Sequence, residues 1–378
     1  MERDTAPKKP STLKGGRRFL FYLLMVLVCF VVVIAAGELL VLLLKPQVSL
    51  YPRWEFSVKY GREHFKDVRM VHRQPRHWKF VYTINELGYR GRAVPVADRY
   101  VKRNIVVLGD SYAMGMGVND GEDFAAVMDK NLADGWNVIN MACGGWGLTQ
   151  QIRRFYETGL LYKPSAVVLQ FCKNDPGDNF IDKVTTIENG RFVFHNTNRQ
   201  RKLFASLLSR SYLVQNSQLY SFARSFYNPF REVEEAAAQR ATDAPGDDST
   251  PVGVVHGRTT TVAKPEAGTA ETSEPPPITR QEVFYNELIE PFAADLHRRG
   301  ILFLMISVNG EIDLFPYIKR KVMELDRQGL LDYLEVTEWF EGIEDYDSPE
   351  GHLWGTKGHR IIGDQLTRVI HEHDTTGQ

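Results

Sequence analysis

The sequence has no surplus of basic charge and little cysteine. It carries 46 lysines and arginines against 47 aspartates and glutamates, a formal net charge of -1 over 378 residues. This balance argues against a general nucleic-acid binder, which needs a basic surface to release phosphate counterions. Only three cysteines occur. Cys143 and Cys172 could pair in an oxidising periplasm or remain two small buried thiols, and both readings stay open.

A segment near the N-terminus differs in composition from the rest of the chain. Residues 1–18 are polar and basic, and residues 19–44 are apolar except for Glu38. About twenty apolar residues cross a bilayer as a helix, and a basic flank stays in the cytoplasm. A cleaved signal peptide would need a shorter apolar region. We therefore predict an uncleaved membrane anchor, with Glu38 near its outer interface or paired there.

Two later segments have no regular period. Residues 45–100 are predicted to form a lead-in that packs on the following domain, with a short strand and a turn at residues 86–88. Residues 238–278 are rich in Ala, Thr, Pro, Gly and Asp and contain no aromatic residue. Such a composition cannot bury enough apolar surface to order itself, which predicts a disordered insertion.

From Arg103 onward, apolar strands alternate with amphipathic helices. The predicted strands are NIVVLGDS, NVINMACGG, SAVVLQFCKND, ILFLMISVN and LDYLEVTE, and the last predicted helix is GHRIIGDQLTRVIHEH. This alternation predicts a parallel sheet covered by helices on both faces. Ligands of such sheets bind beyond the carboxyl ends of the strands. Three strands end in residues suited to chemistry there: Ser111, Gly145 and Asn174.

These three residues could form an acyl-transfer site. Ser111 offers a hydroxyl nucleophile, and the backbone N–H of Gly145 and the side-chain amide of Asn174 offer donors for an oxyanion. The serine is not in a G-x-S-x-G elbow, because the fifth position is Ala113. Gly115 and Gly117 do not make a phosphate loop, since no Lys-Ser or Lys-Thr follows them.

A histidine must act as the base. His352 and His359 both follow a glycine near the C-terminus, in EDYDSPEGHLWGTKGHR. Glu350 and Asp347 are close enough in sequence to orient His352. His359 begins the last predicted helix, where packing or capping is the expected role. The later pair His371 and His373 has no companion carboxylate or cysteine cluster and is read as a frayed helix end.

Taken together, four blocks resemble the SGNH (GDSL-type) hydrolase family. They are LGDSY, NMACGGWG, KNDPGDN and EGHLWGTKGH, and the upstream INELGYRGR resembles the lead-in of membrane-anchored bacterial members. The resemblance covers roughly residues 80 to 370 apart from the insertion. It implies an α/β protein with a flavodoxin-like three-layer α/β/α fold around a central parallel sheet, plus one N-terminal transmembrane helix.

The resemblance also implies roles for individual residues. Ser111 is the nucleophile and His352 the base, while the N–H groups of Ser111 and Gly145 and the amide of Asn174 form the oxyanion hole. Asp110 is a structural partner of the loop, and Gly144 replaces Gly145 if the loop register differs by one residue. The family commonly has an aspartate three residues before the histidine, where this sequence has Pro349. The acid is then Glu350, Asp347, or a backbone carbonyl supporting a Ser–His dyad.

The expected organisation follows from these readings. It comprises a cytoplasmic tail (1–18), a single-pass anchor in a bacterial inner membrane (19–44), the lead-in (45–100) and a periplasmic or extracellular hydrolase domain (101–378). The expected activity is hydrolysis of acyl esters, such as acetyl groups, on a glycan or lipid, without a metal or organic cofactor and without a nucleic-acid partner. The alternatives are an O-acyltransferase acting on an envelope polysaccharide and a catalytically weak envelope-assembly or binding protein.

Overall fold

The computed structural model describes residues 13–52, 54–197, 207, 210–226, 278–351 and 354–376. The tail before Leu13, the predicted insertion apart from Ile278, and the candidate base His352 lie outside the described residues.

Five parallel strands form the central sheet. They are β6 (Arg103–Leu108), β7 (Trp136–Asn140), β8 (Ala166–Phe171), β11 (Leu302–Ser307) and β12 (Asp332–Leu334). Their spatial order is β12-β11-β8-β6-β7, and every neighbouring pair is parallel. Counted along the chain within this sheet, the order is 2-1-3-4-5 read from β7, which is the flavodoxin-like order. The fold predicted from the sequence is confirmed.

Helices cover both faces of this sheet. They are α2 (Ser111–Met114), α3 (Phe124–Asn131), α4 (Leu148–Glu157), α5 (Asp175–Ile181), α8 (Arg280–Arg298), α9 (Pro316–Arg327), α10 (Val336–Trp339) and α11 (Thr356–Thr376). Successive strand residues point to opposite faces. Ile105 and Val107 therefore pack with α3 and α11 in one core, and Val106 and Leu108 pack with α4, α8 and α9 in the other.

The segment before β6 is antiparallel. After α1 (Leu13–Leu44) come β1 (Ser49–Tyr51), β2 (Glu55–Ser57), β3 (Gly61–Glu63), β4 (Val68–Gln74) and β5 (Trp78–Ile84). β1, β4 and β5 form one sheet, and β2 pairs with β3 as a hairpin. Isolated bridges join Ile84 to Arg90 and Arg90 to Asn140 at the end of β7. The lead-in therefore continues onto the edge of the central sheet.

The remaining elements follow α5. β9 (Thr185–Glu188) and β10 (Arg191–Phe194) form a hairpin, and α6 (Tyr212–Asn216) and α7 (Gln218–Phe226) precede the undescribed stretch. The helix α1 is long and apolar enough to cross a membrane by length and composition, and a signal sequence would meet the same criterion.

Most of the elements predicted in the parallel domain occur, with one difference. The fifth strand is only three residues long, since residues 336–338 of the predicted strand belong to α10. Cys143 and Cys172 are both free and buried, so the reading as two small thiols holds and the disulfide does not form.

Candidate functional site

Ser111 lies in the turn between β6 and α2, at the carboxyl end of the sheet. Gly109 has φ of 154°, and a Cβ added there would come within 2.7 Å of Gln170 Oε1, so the turn requires glycine. Asp110 is the N-cap of α2, and its carboxylate accepts a hydrogen bond from Tyr112 N–H at 2.9 Å. Ser111 is the half-buried first residue of the helix.

The neighbouring strand holds this turn in place. The side-chain oxygen of Gln170, a buried residue of β8, accepts from Asp110 N–H at 3.3 Å and from Ala113 N–H at 3.1 Å. β6 and β8 are the adjacent strands between which the chain order reverses, and open α/β sheets bind ligands at that point. Ser111 therefore lies at the crevice that the topology creates.

The glycine loop after β7 runs directly beside Ser111. A Cβ added to Gly144 would lie 3.6 Å from Ser111 Cβ and 2.9 Å from Trp54 Cη2. Gly145, the next residue, has φ of 72°, in the left-handed region that favours glycine. Cys143 N–H donates to the carbonyl of Gly109 at 3.3 Å, which ties the loop to the Ser111 turn. Both candidate glycine donors thus belong to one loop, and Ser111 is among the atoms that a side chain at Gly144 would meet.

Asn174 follows β8. Its amide donates to Asp178 Oδ2 at 2.6 Å, and its side chain lies close enough to the Asp110 carboxylate to oppose the rise in the pKa of that group. Because Asp110 is the neighbour of Ser111 in the chain, this contact brings Asn174 and Ser111 to the same part of the sheet edge. Three of the residues singled out in the sequence therefore meet there.

The floor of the site carries several acidic groups. Burial raises the pKa of Asp110, and hydrogen bonds from Tyr112 N–H and from the Cys172 and Asn174 side chains oppose that rise. Burial, reinforced by the Asp110 charge, raises the pKa of Asp175 well above its usual value. Desolvation and like charge both favour the protonated form of these carboxyls over the charged form.

Cys172 is unsuited to act as a nucleophile. Burial and the neighbouring carboxylates raise the pKa of its thiol well above the usual value. The Sγ donates to Glu311 Oε2 at 3.3 Å, and Glu311 also forms an ion pair of 2.9 Å with Lys173. Since the thiolate is the reactive form of cysteine, these contacts make Cys172 a poor nucleophile. Ser111 therefore remains the candidate nucleophile at this edge of the sheet.

The late loop with the candidate acids reaches the same region. An antiparallel bridge joins Asp347 to Trp354, and Ser348 Oγ donates to the carbonyl of Gly117 at 3.0 Å. The buried Trp354 ring contacts Tyr112 edge-to-face, with 5.1 Å between ring centroids. The residues flanking His352 thus approach the segment that begins at Ser111. Glu350 is half-buried, and its N–H donates to Ser348 Oγ at 3.4 Å.

Asp347 and Glu350 remain alternative acids. Asp347 is exposed at the surface, although nearby groups desolvate its carboxylate enough to raise its pKa. Both carboxylates belong to the loop that carries His352.

The contacts of His359 indicate a structural role. Its ring is fully buried, stacks on Phe124, and accepts a hydrogen bond at Nδ1 from Phe124 N–H at 3.2 Å. Burial, with a smaller contribution from Arg90, lowers the pKa of His359 to about 3. The imidazole is therefore neutral and accepts a hydrogen bond from the first residue of α3, as expected for a packing or capping histidine.

Arg90 is a residue of the site region whose role the sequence did not reveal. Its guanidinium is buried, pairs with Asp123 at 3.2 Å, and donates to the carbonyls of Gly115, Val118 and Asn119 at 2.7, 3.1 and 2.8 Å. It thereby holds the loop that follows Ser111. The only sequence signal was its position in the lead-in block INELGYRGR.

Arg62 and Trp54 were also missed. They come from the β2–β3 region, where no periodic pattern marks them. A Cβ added to Gly145 would lie 2.6 Å from an Arg62 guanidinium nitrogen, and one added to Gly144 would meet Trp54. The Trp146 indole donates to the Arg62 carbonyl at 2.8 Å. The lead-in therefore covers the glycine loop beside Ser111.

No protein-family model matches the chain, and no curated protein matches it in sequence. Solved structures similar to it include the esterase EstA from Pseudoalteromonas sp., with 9% identity over 72% of this chain and 100% of that one and a TM-score of 0.37. A lipase/acylhydrolase from Enterococcus faecalis has 13% identity over 71% and 95%, with a TM-score of 0.34. An acetyl-xylooligosaccharide esterase from Geobacillus has 10% identity over 70% and 93%, with a TM-score of 0.35. Likenesses this distant do not assign an activity to the chain.

Proposed function

We propose that the protein is a membrane-anchored serine ester hydrolase of the SGNH type, with Ser111 as its nucleophile. The observation that carries this proposal is the meeting of Ser111, the glycine loop and Asn174 at the switch point of the sheet. A Cβ added to Gly144 would lie 3.6 Å from Ser111 Cβ, and the Asn174 side chain lies close enough to the Asp110 carboxylate, next to Ser111, to lower its pKa. A hydroxyl with several amide donors around it is the arrangement that acyl transfer requires.

The mechanism assigns one task to each group. His352 removes the proton of Ser111 as the hydroxyl oxygen attacks the ester carbonyl carbon. The N–H groups of Ser111 and Gly145 and the amide of Asn174 stabilise the oxyanion, with Gly144 as the alternative donor. His352 then protonates the departing alcohol, and water releases the acyl group from Ser111 by the same sequence of steps. Glu350, or Asp347, orients the imidazole.

The proposed substrates are acyl esters, including acetyl esters, of an envelope glycan or lipid. The anchor α1 with a basic N-terminal flank favours an inner-membrane protein whose hydrolase domain faces the periplasm or the exterior. An enzyme fixed on that side meets glycans and lipids of the envelope.

The test is ester turnover by the full-length protein in detergent micelles. A panel of p-nitrophenyl esters and acetylated glycans is offered to the wild type, to Ser111→Ala and to the control Ser225→Ala. We expect Ser111→Ala to lose at least about 10³-fold in turnover and Ser225→Ala to match the wild type. Turnover that survives in Ser111→Ala would contradict the proposal, and so would a folded wild type that hydrolyses no ester.

Two further measurements separate the alternatives. Transfer of the acyl group to an added glycan rather than to water would indicate an acyltransferase. Glu350→Gln and Asp347→Asn, compared side by side, identify the acid that orients His352, because the larger loss of turnover falls on that residue.

A further inference from the structure

A carboxylate inside the apolar helix α1 has its partners in another helix. Glu38 accepts hydrogen bonds from Gln218 N–H at 2.7 Å and Leu219 N–H at 3.3 Å, and from the Ser217 hydroxyl. These groups form the N-terminus of α7, where unpaired N–H donors and the helix dipole favour an anion. A charge within an apolar segment needs such a partner, so Glu38 and the start of α7 must lie at the same depth.

Packing between the two helices agrees with this depth. A Cβ added to Gly37 would meet Leu219 Cδ2 at 3.1 Å, so the start of α7 lies directly against α1. Glu38 precedes the last residue of α1, Leu44, by six positions. At about 1.5 Å per residue this is roughly 9 Å along the helix axis. α7 therefore begins within the apolar length of α1 rather than above it.

α7 itself is apolar on one side and too short to cross a bilayer. Its apolar residues recur at i, i+3, i+4 and i+7, namely Leu219, Phe222, Ala223 and Phe226. Nine residues are far fewer than the roughly twenty that a span requires. Lys45 Nζ lies 5.8 Å from the Phe222 ring centroid. A cation beside the aromatic ring at the end of the anchor fits the headgroup region of a membrane.

The surface formed by α6 and α7 is exposed and apolar at several points. Leu213 is 81% exposed and Phe226 77% exposed. α6 is also fixed to the lead-in, since the Tyr51 and Tyr212 rings meet edge-to-face at 5.2 Å and Arg73 donates to Asn216 Oδ1 at 3.0 Å. The surface is thus tied to α1 on one side and to the folded domain on the other.

We propose that α6 and α7 lie in the outer interfacial layer of the bilayer that α1 crosses, with Leu213 and Phe226 in contact with lipid. The pair then fixes the orientation of the hydrolase domain on the membrane rather than leaving it on a free tether. This inference depends on the proposed anchor, and it is independent of the chemistry at Ser111.

The test measures quenching by doxyl-labelled lipids in nanodiscs that contain the full-length protein. An environment-sensitive fluorophore is attached to Phe226→Cys, Leu213→Cys or Val101→Cys in a Cys29→Ser background. The other two cysteines are buried and resist labelling. Val101 is 74% exposed on the loop at the amino end of β6 and is the control. We expect shallow doxyl lipids to quench positions 226 and 213 at least twofold and to leave position 101 unchanged.

Other outcomes distinguish the failure of the inference from the failure of the anchor. A label on native Cys29, within α1, is quenched by deep doxyl lipids if the anchor spans the bilayer. Quenching at Cys29 with no more quenching at 226 and 213 than at 101 would overturn the inference alone. Absence of quenching at Cys29 would contradict both the proposed membrane anchor and the inference that depends on it. Glu38→Ala is expected to weaken the quenching at position 226, because it removes the partner of the α7 N-terminus.

Discussion

The central parallel sheet and the anchor-side region, meaning residues 13–100 and 210–226, are stabilised in different ways. The sheet buries apolar residues on both faces, in two cores. The anchor-side region has antiparallel strands, and polar contacts fix it at several points. Arg90 binds the loop after Ser111, Arg76 donates to the carbonyls of Leu42 and Leu43, and Glu38 accepts hydrogen bonds from the N-terminus of α7.

The two regions contribute different parts of the candidate site. The candidate reacting groups belong to the sheet edge, whereas Arg90, Arg62 and Trp54, which cover and brace their loops, come from the region before it. A change in the anchor-side region is therefore expected to alter the site without touching a reacting atom. The following predictions test these separate contributions, from the largest expected effect to the smallest.

Arg90→Ala should cost the most stability. It leaves the buried Asp123 without its partner and three carbonyls without a donor, and losing one member of a buried pair costs about 3–5 kcal/mol. Arg92→Ala is the matched control, because its ion pair with Asp129 involves a half-exposed arginine and is worth under about 1 kcal/mol. Urea unfolding measures both. Equal losses for the two variants would contradict the bracing role of Arg90.

Asn174→Ala should lower turnover with little change in stability. If the amide donates to the oxyanion, its removal reduces kcat by about 10²–10³-fold while KM changes little. Lys173→Ala, at the adjacent exposed position, is expected to keep its kcat. A rise in KM at constant kcat would instead assign Asn174 to substrate binding.

His359→Gln should make stability less dependent on pH. The pKa of His359 falls from 6.5 to about 3 on folding, so the unfolded chain binds a proton between these values and the native protein does not. Stability is therefore present above pH 6.5 and is lost as pH falls, by about 2 kcal/mol between pH 7 and pH 5 from this residue. Denaturant unfolding at both pH values checks it. An unchanged pH dependence in the variant would show that the pKa of His359 does not fall on folding.

Arg62→Gln is expected to have the smallest effect. The guanidinium lies against Gly145, where its charge favours an anion that develops at the glycine loop. We expect kcat/KM to fall about tenfold, or about 1.4 kcal/mol at the barrier. Arg69→Gln, an exposed arginine of β4, is the control. An equal fall in kcat/KM for the two variants would mean that the net charge of the protein, and not the position of Arg62 beside Gly145, affects the reaction.

The sequence predicted the sheet better than the anchor-side region for a physical reason. β6 and β8 are continuous apolar runs, and Gly109 and Asp110 follow β6 in a pattern that local sterics and capping dictate. The strands β1, β2 and β3 have only three residues each, which is too short for a period to mark them. The role of Arg90 depends on carbonyls 25 to 29 residues away in the chain, and that of Arg62 on a loop further still. Such contacts arise only from tertiary packing.

The most direct test of the central claim is covalent labelling of the full-length protein with a fluorophosphonate, followed by peptide mapping. The account predicts one adduct, on the oxygen of Ser111, that disappears in Ser111→Ala and persists in Ser225→Ala. A folded, membrane-inserted wild type that takes no label, or takes it at another serine, would contradict the assignment of Ser111 as nucleophile.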